Sequence, residues 1–184
     1  MFAIAIIGFF IQLITFPGVV VHEFAHKKAC DYLGVPVGDV VYFQLGSPAG
    51  YVQHLEPERY RDSFVIGVAP FLINTILAFT LFLGLATLTI AGGSDGVAPS
   101  AAGVPGLVLL WLGISVGMHS FPSTGDANTL WNRSRAEWRE APIVLVGVPI
   151  VVVIYVVNLL SRLWADLFYA IGLLLLAAMV VGSV

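Results

Sequence analysis

Long apolar stretches run through most of this chain, and they restrict it to folds that bury them in lipid or against one another. They cover about residues 2–30, 63–91, 106–119, 141–160 and 163–183. A membrane-spanning helix needs about 20 mostly apolar residues. Only 10% of the 184 residues are charged, whereas soluble domains have about 25%, so too few polar side chains remain to cover a soluble surface. The sequence predicts an all-α polytopic membrane protein with about five transmembrane helices.

A short polar motif lies near the end of the first apolar stretch. Residues 22–26 read His-Glu-Phe-Ala-His. Because residues i and i+4 lie on one face of a helix, His22 and His26 can bind one metal ion, with Glu23 beside them as a general base. Ionisable side chains at membrane depth are costly and point to function. The competing interpretation is a pair of interfacial histidines and a solvated glutamate just beyond a transmembrane helix.

A catalytic zinc ion usually has three protein ligands and one open position for water. The candidates for the third ligand are His54, His119, Asp126 and the scattered carboxylates. Asp126 is favoured, because it follows Pro122 and Gly125, which break the chain at the end of the third stretch and so can aim a carboxylate into a helix bundle. The alternative is that Asp126 only caps the helix that follows it.

The connections between the stretches carry turn signals. Pro17-Gly18 predicts a kink in the first helix. Residues 92–105 form a connection rich in Gly, Ser and Pro, and Ser161-Arg162 predicts the turn of a final helical hairpin, with Asp166 just inside the last stretch.

One connection has strand character. Residues 40–45 and 51–55 flank a turn at 46–50 and predict a small β-hairpin after the first helix. Two interpretations stay open: its edge accepts an extended peptide as an added strand, or it is an interfacial hairpin anchored by Tyr42, Phe43 and Tyr51.

The positive charges indicate an orientation. Those between the first and second stretches and between the third and fourth are Lys27, Lys28, Arg59, Arg61, Arg133, Arg135 and Arg139. Residues 92–105 contain none, and the 161–164 turn has only Arg162. The positive-inside rule therefore predicts an outside N-terminus, an inside C-terminus and a motif near the cytoplasmic face. No Lys or Arg precedes residue 27, so we expect the first stretch to be retained rather than cleaved as a signal peptide.

These motifs together resemble the site-2 protease (M50) family of intramembrane metalloproteases. The resemblance covers roughly residues 10–132, which we treat as a metalloprotease-like core, with residues 133–184 as a C-terminal helical hairpin. The family's third ligand is an Asp in a segment resembling N-x-x-P-x-x-P-L-D-G, and Asp126 occupies the matching place. This chain departs from the pattern in two ways: His119 replaces the usual Asn, one residue closer to the Asp, and Gly-Asp-Ala replaces Leu-Asp-Gly.

The resemblance implies further site residues. His119 would donate a hydrogen bond to a developing oxyanion, as the family's Asn is thought to do, unless it is only a satisfied histidine at a helix end. The segment Ala69 to Asn74 is similar to the family's G-P-x-x-N with one extra residue. Asn74 therefore either faces substrate or bonds a neighbouring helix. Gly50 and Tyr51, in the hairpin, are the other expected substrate-binding residues.

The predicted function is zinc-dependent hydrolysis of peptide bonds in membrane-embedded proteins or peptides, with Zn²⁺ as cofactor. The alternative is a membrane scaffold or binding protein that keeps zinc without proteolysis. A net charge of −3 without a basic block excludes a nucleic-acid partner. A transporter is disfavoured because no inverted repeat is visible. The single cysteine, Cys30, is expected to be a small buried apolar residue. The sequence leaves the native metal, the substrate and homo-oligomerisation open.

Overall fold

The computed structural model describes residues 2–94, 98–139, 144–160 and 164–183. Its seven helices in these ranges are α1 (Phe2–Ile14), α2 (Phe16–Leu33), α3 (Tyr60–Ala91), α4 (Gly103–Met118), α5 (Thr124–Glu137), α6 (Val144–Leu160) and α7 (Ala165–Gly182). A 3-10 turn, Pro99–Ala102, precedes α4, and two strands, β1 (Val37–Val41) and β2 (Tyr51–His54), follow α2. The predicted helical fold with one small hairpin is confirmed.

Three of these helices are long and apolar enough to cross a membrane: α3, α4 together with its 3-10 turn, and α7. The bent pair α1–α2 raises the number to four if it is counted as one span, whereas the apolar part of α6, Gly147–Leu160, is shorter. The described residues therefore do not confirm five spans, and that number stays a prediction. The predicted turn at Ser161-Arg162 and residues 95–97 of the second connection lie outside the described residues.

The Pro17-Gly18 pair predicts a kink or a short break in the first apolar stretch, and the structure has a break at Thr15, two residues before Pro17. The helix ends before Thr15, and α1 and α2 meet at 69°. Pro17 lies in the first turn of α2, where a missing N–H costs nothing because it would have no helical partner. The break leaves backbone groups that a membrane cannot hydrate, so they need protein partners.

Ser115 of α4 supplies those partners at the corner. Its hydroxyl donates to the Thr15 carbonyl at 2.9 Å and accepts from the Gly18 N–H at 2.9 Å. A side chain at Gly18 would collide with the Ser115 backbone carbonyl, so glycine is what allows α2 to approach α4 this closely. The corner fixes the start of the helix that carries the His-Glu-Phe-Ala-His motif.

We expect Ser115→Ala to lower the free energy of unfolding by about 1–2 kcal/mol, because a buried donor and acceptor at the corner lose their shared partner. Thermal unfolding in detergent measures the change. Ser183→Ala is the matched control, since that hydroxyl is exposed and only donates within α7 to the Val180 carbonyl. Equal unfolding temperatures of the Ser115→Ala and Ser183→Ala variants would contradict the role given to Ser115.

The hairpin is antiparallel, with Val40 opposite Val52 and Val41 opposite Tyr51. Its first strand ends earlier than predicted, since Gln44 closes the loop instead of extending the strand. The Gln44 N–H donates to the Ala49 carbonyl at 2.7 Å, and its side-chain amide donates to the Pro48 carbonyl at 3.0 Å. The loop is thereby held compactly beside the motif helix.

The apolar core lies where α3, α4 and α7 pack together. Phe82 and Leu85 of α3 are fully buried at its centre. Glycines on α4 allow the close packing, because a Cβ at Gly113 would overlap the Phe82 ring and a Cβ at Gly117 would lie 2.9 Å from the Ala170 Cβ. Small residues at helix contacts are the usual means of association in lipid. This core holds the ends of α4 and α7 next to the motif.

Candidate metal centre

His22 and His26 lie one helical turn apart on the same buried face of α2. They are 8% and 6% exposed, and their ring centroids are 4.9 Å apart. Burial of two imidazoles side by side costs hydration free energy, so their polar atoms need partners. The hydrogen bonds of both rings supply these partners in the same way.

Each ring is oriented by a backbone carbonyl from another helix. The His22 Nδ1 lies 2.8 Å from the His119 carbonyl oxygen, and the His26 Nδ1 lies 3.0 Å from the Ile66 carbonyl oxygen. A carbonyl oxygen only accepts hydrogen bonds, so Nδ1 carries the proton in both rings. Nε2 of each ring is then left available to a metal ion, as in the usual arrangement of metal-ligating histidines.

Asp126 reaches the histidines from the first turn of α5. Its carboxylate Oδ2 lies 3.5 Å from the His26 Nε2. The same oxygen accepts hydrogen bonds from the Ser123 N–H at 2.8 Å and the Ser123 hydroxyl at 2.7 Å, while the Asp126 N–H donates to that hydroxyl at 3.2 Å. This is a capping box. The sequence left two roles open for Asp126, metal ligand or helix cap alone. The structure shows the cap and places the same carboxylate next to His26, and the ligand role stays a prediction.

The charge of Asp126 suits a cation. Burial raises the pKa of its carboxyl, but the interactions with His26, His22 and Ser123 together outweigh burial and place the pKa below its ordinary value. The side chain is therefore an anion next to two imidazoles.

The three side chains fit a tetrahedral metal site. Their ligand atoms all lie within 4.8 Å of one another, and they form the one such group that we find in the described part of the chain. Zinc–ligand distances of about 2.0–2.1 Å place two tetrahedral ligands about 3.4 Å apart, close to the 3.5 Å between His26 and Asp126. Two imidazoles and one carboxylate are also the ligand set of catalytic zinc sites that keep one position open. Other divalent metals accept the same ligands.

Glu23 lies beside the ligands and is only 8% exposed. The hairpin loop covers it, because a Cβ at Gly50 would lie 2.7 Å from the Glu23 Cγ. Gly50 is therefore needed for this close contact. Tyr51 follows directly, and its hydroxyl donates to the Asp39 carboxylate at 2.6 Å, which raises the pKa of the Tyr51 phenol. Gly50 and Tyr51, the two hairpin residues predicted to bind substrate, both lie beside the candidate metal centre. Their contact with substrate stays a prediction.

A cavity of about 490 Å³ connects these residues. Its polar lining comes from α1, α2, the hairpin and the C-terminal helices, and includes Gln12, His22, Glu23, His26, Tyr51, His54, His119, Ser123, Asp126, Asn158 and Asp166. Its volume is within the usual range of ligand pockets, about 300–1,000 Å³.

The other two predicted catalytic or binding residues occupy different positions. His119 lines the cavity, and its Nδ1 donates to the Ser115 carbonyl at 2.9 Å. Asn74 is fully buried in α3 and donates to the His119 carbonyl at 3.0 Å. It is not among the residues that line the cavity. The contacts of Asn74 are thus those of a bond to a neighbouring helix, and they support the carbonyl that orients His22.

Sequence reasoning gave no role to three residues that the cavity brings together. Gln12 forms two hydrogen bonds with the backbone of Gly46, from its amide to the carbonyl at 2.6 Å and from the Gly46 N–H at 3.3 Å. Asn158 donates to the Pro122 carbonyl at 3.0 Å. Asp166 alone had a visible signal, an acidic residue at the start of an apolar stretch. His54, the rejected ligand candidate, lines the cavity outside the three-residue group.

Neither a family model nor a curated protein nor a solved structure matches this chain. The likeness to site-2 proteases therefore rests on the residues described above and stays a prediction.

Proposed function

We propose that this protein is an integral membrane zinc metallopeptidase that hydrolyses peptide bonds of membrane-embedded substrates. The observation that supports it best is the convergence of His22, His26 and Asp126 within 4.8 Å, next to Glu23 in one cavity. A purely structural zinc site is normally closed by four ligands and has no need of a base beside them. Three ligands, an adjacent carboxylate and an accessible cavity favour catalysis.

The residues at the metal centre have distinct roles in this proposal. His22, His26 and Asp126 hold the metal, and a zinc ion there would supply Lewis acidity that acidifies water and polarises the scissile carbonyl. Glu23 accepts the proton from the attacking water and passes it to the leaving amine. The predicted oxyanion role of His119 is not part of this proposal, because its Nδ1 donates to the Ser115 carbonyl and a neutral ring then has no proton on Nε2 to donate. Gly50 and Tyr51 lie where an extended substrate segment would pass.

The outer surface of the helices supports a membrane location. Large apolar side chains of different helices are strongly exposed, including Ile76 at 66%, Phe168 at 67% and Met179 at 72%. Exposed apolar surface of this extent normally faces lipid or another protein. We propose a multi-pass protein with the metal centre toward the cytoplasmic face, on the basis of the basic residues in the connections.

The test is cleavage of a membrane peptide co-reconstituted with the purified protein. We expect the zinc-loaded protein to cleave, a chelator to abolish cleavage, and added Zn²⁺ to restore it, because the three side chains cannot acidify water without the metal. Products are measured by mass spectrometry. Stoichiometric zinc without any cleavage would instead support a non-proteolytic zinc-binding scaffold.

A further inference from the structure

Asp166 shares the cavity with the candidate metal centre but is not part of it. It comes from the first turn of α7, in the C-terminal hairpin, and lines the cavity together with Asn158 of α6. It does not belong to the group of ligand atoms that lie within 4.8 Å of one another. In this geometry Asp166 is therefore free of metal coordination and can contact whatever occupies the cavity.

The charges around the cavity leave Asp166 without compensation. Its lining contains three carboxylates, Glu23, Asp126 and Asp166, and no Lys or Arg from the described part of the chain. A divalent metal ion bound to the three ligands would balance Glu23 and Asp126. Asp166 interacts electrostatically with His119 and with the N-terminus of α7, but a ring that donates from Nδ1 to the Ser115 carbonyl is neutral, and a helix end carries only a partial charge. Asp166 therefore has no full positive charge beside it among the described residues that line the cavity. Buried or half-buried charges normally have a partner, so the missing positive charge is expected to come with the occupant.

The contacts of the Asp166 carboxylate agree with this. Within the described residues, Asp166 Oδ1 accepts one hydrogen bond, from the Leu167 N–H at 3.1 Å. That bond belongs to its own helix and leaves most of the acceptor capacity of the carboxylate unused. The packing of α7 against α3 and α4 fixes the position of Asp166 relative to the motif helix.

We propose that Asp166 forms a specificity subsite that binds a Lys or Arg side chain of the peptide substrate. The inference rests on the proposed function and names the substrate class for the same site. Asp166 lines the same cavity as His22 and His26, so α7 begins on the motif's side of the bundle, whereas the expected alternation of spans puts the 161–164 turn on the opposite side. If the motif faces the cytoplasm, the ends of substrate segments on that side are rich in Lys and Arg. A substrate segment that reaches the metal centre from that side carries a positive charge close to its apolar part.

The experiment compares two N-acetylated membrane peptides of about 20 residues, identical except for Lys or norleucine at one position, which is scanned along the peptide. For the best position, we expect wild-type kcat/KM to favour Lys about fivefold, as an incompletely buried ion pair would. Asp166→Asn should bring the ratio to near one, and Asp166→Lys should favour a Glu peptide instead. Asp31→Asn is the matched control, since Asp31 pairs with Lys27 on the surface and lies outside the cavity.

Binding of the same peptides to Glu23→Gln protein separates the subsite from catalysis. A Lys preference in binding that Asp166→Asn removes would support the subsite even if wild-type protein cleaved neither peptide, an outcome that would refute only the proposed function. If wild type and Asp166→Asn showed the same preference for the Lys peptide over the norleucine peptide, in both cleavage and binding, the subsite would be overturned. A norleucine peptide with a free N-terminus that binds as well as the Lys peptide would overturn the assignment to a side chain.

Discussion

Asp126→Ala is expected to lower the affinity for zinc at least about 100-fold, because it removes a direct ligand and loss of an outer-shell partner alone costs about 10–100-fold. The remaining pair, His22 and His26, lacks the negative charge that offsets the cation. Zinc affinity is measured by competition with a chromophoric chelator, and zinc content by elemental analysis of the purified protein. A full one-to-one zinc content in the variant would show that another residue is the third ligand.

Two further variants separate loss of the ligand from loss of the helix cap. Asp126→Asn keeps an oxygen that can accept the hydrogen bonds from Ser123, so α5 should stay capped while the anionic ligand is lost. We therefore expect it to bind zinc weakly and to unfold like the wild type. Asp62→Ala is the matched control, because Asp62 is also an acidic residue in the first turn of a helix but lies outside the cavity. It should keep full zinc content.

The grouping of the three candidate ligands could be predicted from the sequence because their signals are local. His22 and His26 are four residues apart on a helix, and Asp126 follows a Pro/Gly break. The partners that orient the rings could not be predicted. They are backbone carbonyls, of His119 and Ile66, and every residue has one. Only the packing of α2 against α3 and α4 decides which carbonyl lies at the correct distance.

The departures from prediction have similar causes. The first stretch contains enough apolar residues for one straight span, yet it bends by 69° at Thr15. Ser115, about 100 residues away in the chain, stabilises this corner by bonding the Thr15 carbonyl and the Gly18 N–H, which also bond each other. For Asn74 the sequence left two positions open, facing substrate or bonding a neighbouring helix, and in the structure its amide donates to backbone carbonyls of α2 and α4. Tertiary contacts of this kind leave no periodic pattern in the sequence.

Asp126 can both cap α5 and lie where a metal ligand is needed. A cap and a metal ligand seemed alternatives for Asp126, since each role by itself accounts for an Asp at a helix start. In the structure, Ser123 holds the carboxylate by two hydrogen bonds, and the same oxygen lies 3.5 Å from His26. The cap therefore fixes the orientation in which the carboxylate can act as a ligand.

Glu23→Gln is expected to lower kcat at least about 1,000-fold while zinc stays bound in a one-to-one ratio, because an amide cannot accept a proton and general base catalysis contributes about 10²–10⁴. The two side chains have nearly the same shape, so the contact with Gly50 is preserved. Cleavage of the co-reconstituted peptide and zinc content are measured on the same preparation. Glu58→Gln, the same change at an exposed position, is the matched control.

The two readouts together decide between the candidate functions. Loss of cleavage with zinc retained assigns Glu23 to proton transfer rather than to metal binding or folding. Loss of both would mean that Glu23 helps to hold the metal, and the role given to Asp126 would then need revision. Unchanged proteolysis in Glu23→Gln would refute the mechanism, since Asp126, the other carboxylate close to both histidines in the described cavity, is held by Ser123 and His26.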